Sequence, residues 1–170
     1  MSIKKITVLL GFLTGLLTGV AQASLVIPMQ WVAGANSGKS AGYIRADDTP
    51  YGLMLTPHLQ GFSQGMHGFH VHAIPLCDDG GRSAGGHFDP VRTNVHLGPY
   101  HGSGHLGDLP VLMVGADGKA TLPVLAPRLT LSELKGHSLM IHAGGDDYSK
   151  NVQKLPGSMI RIACGVVPWH

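Results

Sequence analysis

The chain has 170 residues, 44% of them hydrophobic, which is enough for one well-buried core and too few for two ordinary domains. The formal charge of +2 includes Lys4 and Lys5 near the N-terminus; without those two of the twelve basic residues, ten remain against ten acidic ones. With no basic run and no aromatic-studded cationic strip, nothing in the chain suits a nucleic-acid backbone.

Taken in chain order, residues 1–23 read as a signal peptide. Lys4 and Lys5 lead an apolar run from Ile6 to Val20, and Ala21-Gln22-Ala23 matches the small-residue cleavage pattern. The run is broken by Gly11, Thr14, Gly15, Thr18 and Gly19 and falls short of spanning length, which argues against a retained anchor. No Cys stands beside the cut for lipid attachment. Residues 24–170 are then one exported domain, periplasmic or beyond, free of the membrane after cleavage. An oxidising compartment favours pairing Cys77 with Cys164. Closing a loop of that length stabilises a fold by roughly 4 kcal/mol in the chain-entropy treatment.

Short β-type segments follow, punctuated by Gly, Pro, Asn and Asp: Leu25 to Ala33, Ala41 to Ala46, Gly52 to Pro57, Met66 to Ala73, Val111 to Ala116, Ala120 to Leu125, Ser138 to His142 and Met159 to Val167. Eight strands predict an all-β sandwich or barrel. Asp117-Gly118, between two apolar runs, predicts a tight type I′ hairpin turn. The only helical signal is the capping box Thr130-Leu131-Ser132-Glu133, which Gly136 ends after a turn or two. From Ile74 to Leu109 there is no sustained periodicity, and glycines recur. A loop this long needs something to offset its ordering entropy, and metal ions and a disulfide are the candidates.

Eleven histidines are present, four of them between His87 and His105. In Gly68-Phe69-His70-Val71-His72, strand alternation sends Phe69 and Val71 to one face and both imidazoles to the other. His67, an odd number of residues from His70, falls on the opposite face and reads as structural. In the loop, His87, His96, His105 and Asp108 make three imidazoles and a carboxylate, a closed tetrahedral set suited to structural zinc. An all-imidazole set suits copper instead, and His142, closing its strand, is the natural further ligand.

These motifs together resemble the copper/zinc superoxide dismutases, in particular the exported bacterial type. The resemblance rests on His67-Gly68-Phe69-His70-Val71-His72, Ala84-Gly85-Gly86-His87-Phe88-Asp89-Pro90, His96-Leu97-Gly98-Pro99, Gly104-His105-Leu106-Gly107-Asp108-Leu109-Pro110, His142-Ala143-Gly144-Gly145-Asp146 and Ala163-Cys164-Gly165-Val166-Val167. It implies an eight-stranded Greek-key barrel or sandwich of immunoglobulin-like architecture, with one copper and one zinc ion per chain. Copper would be held by His70, His72, His87 and His142, and zinc by His87, His96, His105 and Asp108. Asp146 would accept hydrogen bonds from His70 and His96 and link the two sites.

The implied reaction turns superoxide into oxygen and hydrogen peroxide by copper redox cycling. In it the shared His87 carries a proton, and Arg161 attracts and orients the anion. The Cys77–Cys164 bridge would help place the loop backbone that holds Arg161. Lys154-Leu155-Pro156-Gly157-Ser158-Met159 departs from the glycine-rich run found there in the bacterial type. Lys150 and Lys154 are weighed as steering charges against an ordinary solvated surface, while His58, His101, His137 and His170 match no ligand position. The alternatives are a copper carrier or a zinc-stabilised interaction module of the same fold, which should lack a copper ligand or the arginine. A zinc hydrolase would need an open coordination position that the zinc set does not leave. A homodimer is left open.

Overall fold

The computed structural model describes residues 24–150 and 155–169. The expected signal peptide, Lys154 and His170 lie outside the described residues. The described residues form ten strands: β1 (Ser24–Trp31), β2 (Ser40–Thr49), β3 (Gly52–Gln60), β4 (Gly65–His67), β5 (Phe69–His72), β6 (Leu112–Val114), β7 (Lys119–Ala120), β8 (Val124–Ala126), β9 (Ser138–His142) and β10 (Arg161–Val166). The one α-helix among the described residues, α1 (Leu131–Leu134), is a single turn. Among the described residues no helix is long and apolar enough to cross a membrane.

Two expected strands are each broken in two, which accounts for ten where eight were expected. Met66 to Ala73 divides at Gly68, where Gly68 N–H turns aside to the Gly144 carbonyl at 2.7 Å. His67 therefore sits on β4, paired with β6, while His70 and His72 sit on β5, paired with β9. The expectation that His67 lies on the other face of the same strand is thus corrected: it belongs to a different ladder. Ala120 to Leu125 divides at Thr121-Leu122-Pro123, since Pro123 has no N–H to give a ladder.

The main sheet runs β5-β9-β10-β1-β2-β3-β7, with β8 also on β3, and a second ladder joins β4 to β6. Because only Gly68 separates β4 from β5, the two ladders follow one another, and the β6–β7 hairpin brings the path round. β10, last in sequence, lies between β9 and β1, so chain order and spatial order differ as in a Greek key. The β6–β7 turn is not type I′, which needs positive φ at two successive residues. Only Gly118 takes one, φ 74°, and Gly118 N–H returns to the Gly115 carbonyl at 3.0 Å. This is the longer hairpin loop that a left-handed glycine completes.

Alternation fills the core. Ile27 and Met29 of β1, Leu53, Leu55 and Leu59 of β3, Phe69 and Val71 of β5, and Leu139 and Ile141 of β9 all face inward. The other face of β5 and β9 carries His70, His72, Met140 and His142, also buried, so something must cover them. The cover is the segment from 74 to 109, which contains no strand, only a 3-10 stretch at Asp79–Ala84. α1 carries the expected capping box, with Thr130 and Glu133 each serving the other's backbone N–H, and Leu131 N–H donates to Asp48 of β2 at 2.7 Å.

Leu139→Ala, which empties a fully buried position, should cost about 2–5 kcal/mol. Urea unfolding would show a lower midpoint at an unchanged slope; an unmoved midpoint would contradict this account of the core.

Candidate metal centre

The site is built where the covered face of β5 and β9 meets the loop. On β5, Val71 N–H donates to Gly107 O and Val71 O accepts from Phe88 N–H, both at 2.8 Å, so each end of the loop pairs with the strand edge. Gly107 must be glycine here, because a Cβ would stand 2.3 Å from Val71 O. These pairings put His87 opposite His72 and Asp108 opposite His70. Farther along, Leu97 and Gly98 N–H donate to Asp108 Oδ2 at 3.2 and 3.3 Å, drawing in His96.

Two four-donor sets result. One ring nitrogen from each of His70, His72, His87 and His142 lies within 4.8 Å of the others, and so does one donor atom from each of His87, His96, His105 and Asp108. His87 is in both. In the second set, Nδ1 of His87, His96 and His105 stand 2.8, 2.9 and 3.2 Å from the same oxygen, Asp108 Oδ1. A second carboxylate joins the sets: Asp146 Oδ2 accepts from His70 Nε2 at 2.8 Å, and Asp146 Oδ1 from His96 Nε2 at 2.9 Å.

Nearly every ring nitrogen not aimed into a cluster is tied down. His70 Nε2 is held by Asp146 and His72 Nδ1 by Gly85 O at 2.9 Å. The remaining nitrogens, His70 Nδ1, His72 Nε2 and both of His142, are buried without a hydrogen-bond partner. His96 Nδ1 is also without one, being near Asp108 but misaligned for a hydrogen bond. Orphaned buried nitrogens are costly, and their convergence means that a shared electron-pair acceptor is the expected occupant.

Charge follows the same division. Burial, then the neighbouring His87, pushes the His72 ring down to about 2; burial, then His72, pushes His142 down to about 3. Burial also holds His70 and His87 below the ordinary value. His96 resists: burial disfavours its proton, but the Asp108 and Asp146 carboxylates outweigh burial and push it up to about 9. Burial opposes ionisation of those two carboxylates, yet the imidazole contacts keep both well below the usual carboxylate range. The four-imidazole set is thus kept neutral and ready to donate electron pairs.

A pocket of about 160 Å³ opens onto the first set, lined also by Gly145, Asp146, Ser158, Met159 and Arg161. Arg161 is the cross-strand neighbour of His142. Its guanidinium donates to the Gly81 and Gly85 carbonyls, both at 2.6 Å, and those carbonyls belong to the loop tethered by the Cys77–Cys164 disulfide. Val32, Cys77, Ala84, Met140 and Cys164 form a small apolar cluster of their own around that tether.

Every residue expected at the two sites is therefore brought to them, with Asp146 and Arg161 against them. His67 is buried and braces the site, its Nδ1 2.7 Å from His142 O and its Nε2 2.9 Å from Ser63 O. His58 stacks on Tyr43, His137 bonds to Ala73 O, and exposed His101 accepts from Ser103 N–H. Exposed Lys150 lines none of the described pocket. Two supports were missed. Arg128 donates to the carbonyls of His101, Gly104 and His105 at 2.5, 2.9 and 3.1 Å, and Tyr148 accepts at its hydroxyl from Val111 N–H at 2.9 Å.

An all-β Greek-key barrel carrying two imidazole-rich sets with one ring in common defines a class of paired-metal proteins. Residues 40–167 match the copper/zinc superoxide dismutase (SODC) family, and the chain belongs to that family. Superoxide dismutase [Cu-Zn] 1 of Salmonella typhimurium is 50% identical over 159 residues, covering 88% of this chain and 90% of the relative. The corresponding protein of Neisseria meningitidis is 45% identical, covering 85% and 83%. Among solved structures, the Brucella abortus enzyme superposes with a TM-score of 0.78 at 42% identity, covering 85% of this chain and 99% of that one. The monomeric enzyme of Salmonella enterica gives 0.72 at 48%, covering 85% and 99%. The residues fit both ions that the family name carries: orphaned imidazole nitrogens for copper, three imidazoles and a carboxylate for zinc.

Stripped of metal by chelation, the chain should show His142 taking its proton only near pH 3 and His96 losing its proton only near pH 9, by NMR of the ring protons. The stability that His96 contributes is complete below its ordinary 6.5 and is lost as pH rises through about 9. Neutral His72 and His142 act oppositely, so acidification below 6.5 destabilises. Titration of both His96 and His142 near 6.5 would contradict this. Asp146→Ala, which frees His70 and His96 together, should weaken zinc affinity about 10- to 100-fold in chelator competition. Unchanged zinc affinity would remove Asp146 from that role.

Proposed function

We infer that the chain is a copper/zinc superoxide dismutase, an oxidoreductase converting two superoxide ions and two protons into oxygen and hydrogen peroxide. The observation that carries this reading is the membership of His87 in both donor sets. His70, His72, His87 and His142 would hold copper, and His87, His96, His105 and Asp108 would hold zinc. Bound copper supplies the one-electron redox chemistry that turnover needs, alternating between two oxidation states.

The rest is done by side chains. His87, His96, His105 and Asp108 would hold zinc with four protein donors, and held so they would order the loop and fix the His87 ring. The His87 Nδ1 faces Asp108, so its other nitrogen is left to the copper side, where a proton can be held and passed to reduced substrate. With cations held in both donor sets, the His87 ring would give up that proton more readily. Asp146 keeps His70 and His96 in fixed orientations through their outer nitrogens. Arg161 lines the pocket with its guanidinium held by two carbonyls. A fixed positive charge there draws in a small anion and restrains its approach.

Residues 1–23 are read as a cleaved signal, with the mature domain spanning 24–170 and acting in the periplasm or beyond. The Cys77–Cys164 bridge agrees with an oxidising compartment. Since no expected ligand position is vacant, no observation favours a carrier or an interaction module.

Arg161→Ala should slow superoxide removal while one copper and one zinc per chain stay bound, measured by metal analysis and pulse-radiolysis decay. Its remaining rate should depend less on ionic strength. A rate unchanged at low salt would take Arg161 out of the reaction, and turnover surviving complete copper removal would overturn the assignment.

A further inference from the structure

A four-imidazole pocket is not selective by itself, because imidazole suits zinc as well as copper. Its mouth is also unwelcoming to a bare cation, since Arg161 stands in the lining with nothing acidic but Asp146, whose carboxylate is engaged by His70 and His96. Copper loading therefore needs a feature outside the pocket that prefers copper and does not depend on negative charge. Thioether sulfur meets both requirements, being soft, uncharged and selective for Cu(I) over zinc.

Three exposed methionines bear on this mouth: Met159 lines it, Met66 stands behind its Gly145 wall, and Met113 pairs with Met66 on the neighbouring strand. Met66 and Met113 are direct partners across the β4–β6 ladder, 55% and 47% exposed, so both side chains rise from the same face as neighbours. Met66 abuts the pocket lining: its Cβ would lie 3.3 Å from a Cβ placed on Gly145. Met159, 59% exposed, lines the same pocket on the segment that departs from the family's glycine-rich run. By contrast Met29 and Met140 are buried and cannot meet an incoming ion. The same lining holds His70, His72 and His142 with their unpartnered nitrogens.

We propose that Met66 and Met113 form a Cu(I)-capturing thioether pair from which copper passes, by way of Met159, to the histidine site. The inference rests on the copper assignment made above. The transfer is a ligand exchange: copper–sulfur bonds break and copper–nitrogen bonds form. Copper stays Cu(I), and no electron moves. Copper arriving reduced needs no extra oxidant, since the reaction itself uses both oxidation states.

The test uses the full mature chain, zinc-loaded and copper-free, with Cu(I) presented anaerobically as its bicinchoninate complex. Met66→Leu/Met113→Leu keeps the apolar surface and removes only the sulfurs. Transfer of Cu(I) from the chelator should slow at least about tenfold in this variant, while Cu(II) uptake keeps the parent rate. In a second protein, His72→Ala/His142→Ala, Cu(I) should remain bound with sulfur scatterers at the copper absorption edge. Equal Cu(I) transfer rates in parent and variant, or a sulfur-free environment in the second protein, would overturn the inference. Failure of the parent chain to take Cu(II) onto its histidines would instead overturn the copper assignment, and this inference with it.

Discussion

The carboxylate of Asp108 is the point on which the loop turns. One of its oxygens is approached by three imidazoles from positions 87, 96 and 105, and the other accepts from two consecutive backbone N–H groups. The covering segment has no strand ladder of its own, and fixing each residue's backbone costs about 1–2 kcal/mol. A handful of polar contacts would not hold such a length in place alone. The four donors gathered there would supply the missing attraction on binding a divalent ion, and the disulfide, Arg128 and the Val71 pairings secure the remainder.

Rigid and adaptable parts are therefore divided by element. β5 and β9 carry His70, His72 and His142 on a wall whose other face is the hydrophobic core, so those three rings move only if the barrel does. The loop contributes His87, the ring common to both sets, and the charged Arg161 is steadied from the loop side by carbonyls. Asp146 crosses this division, bonded to one ring from the wall and one from the loop. Displacing either ring disturbs the other through a single buried carboxylate.

Much of this was legible in the residues. Alternation alone put His70 and His72 on one face and Phe69 and Val71 in the core, and the glycine-rich stretch without periodicity is the covering loop. The donor sets were recognisable because imidazoles and a carboxylate at these spacings have few other uses, together with the family resemblance. The break at Gly68 was hidden because apolar alternation continues through it, and only the tertiary pull of the Gly144 carbonyl ends the ladder. The β6–β7 turn was misjudged for a similar reason: Asp117-Gly118 satisfies two turn types, and the lengths of β6 and β7 choose between them. Arg128 and Tyr148 could not be found, since what they bond is backbone from distant parts of the chain and no local pattern marks it.

The Gly85 carbonyl has a double duty. It accepts from His72 Nδ1 and from the Arg161 guanidinium at once. The ring proposed to donate an electron pair and the cation proposed to draw in the anion thus hang from a single oxygen atom. Any rotation of that peptide plane would tilt the one and swing the other together, so changes in this stretch of backbone cannot retune either proposed role separately.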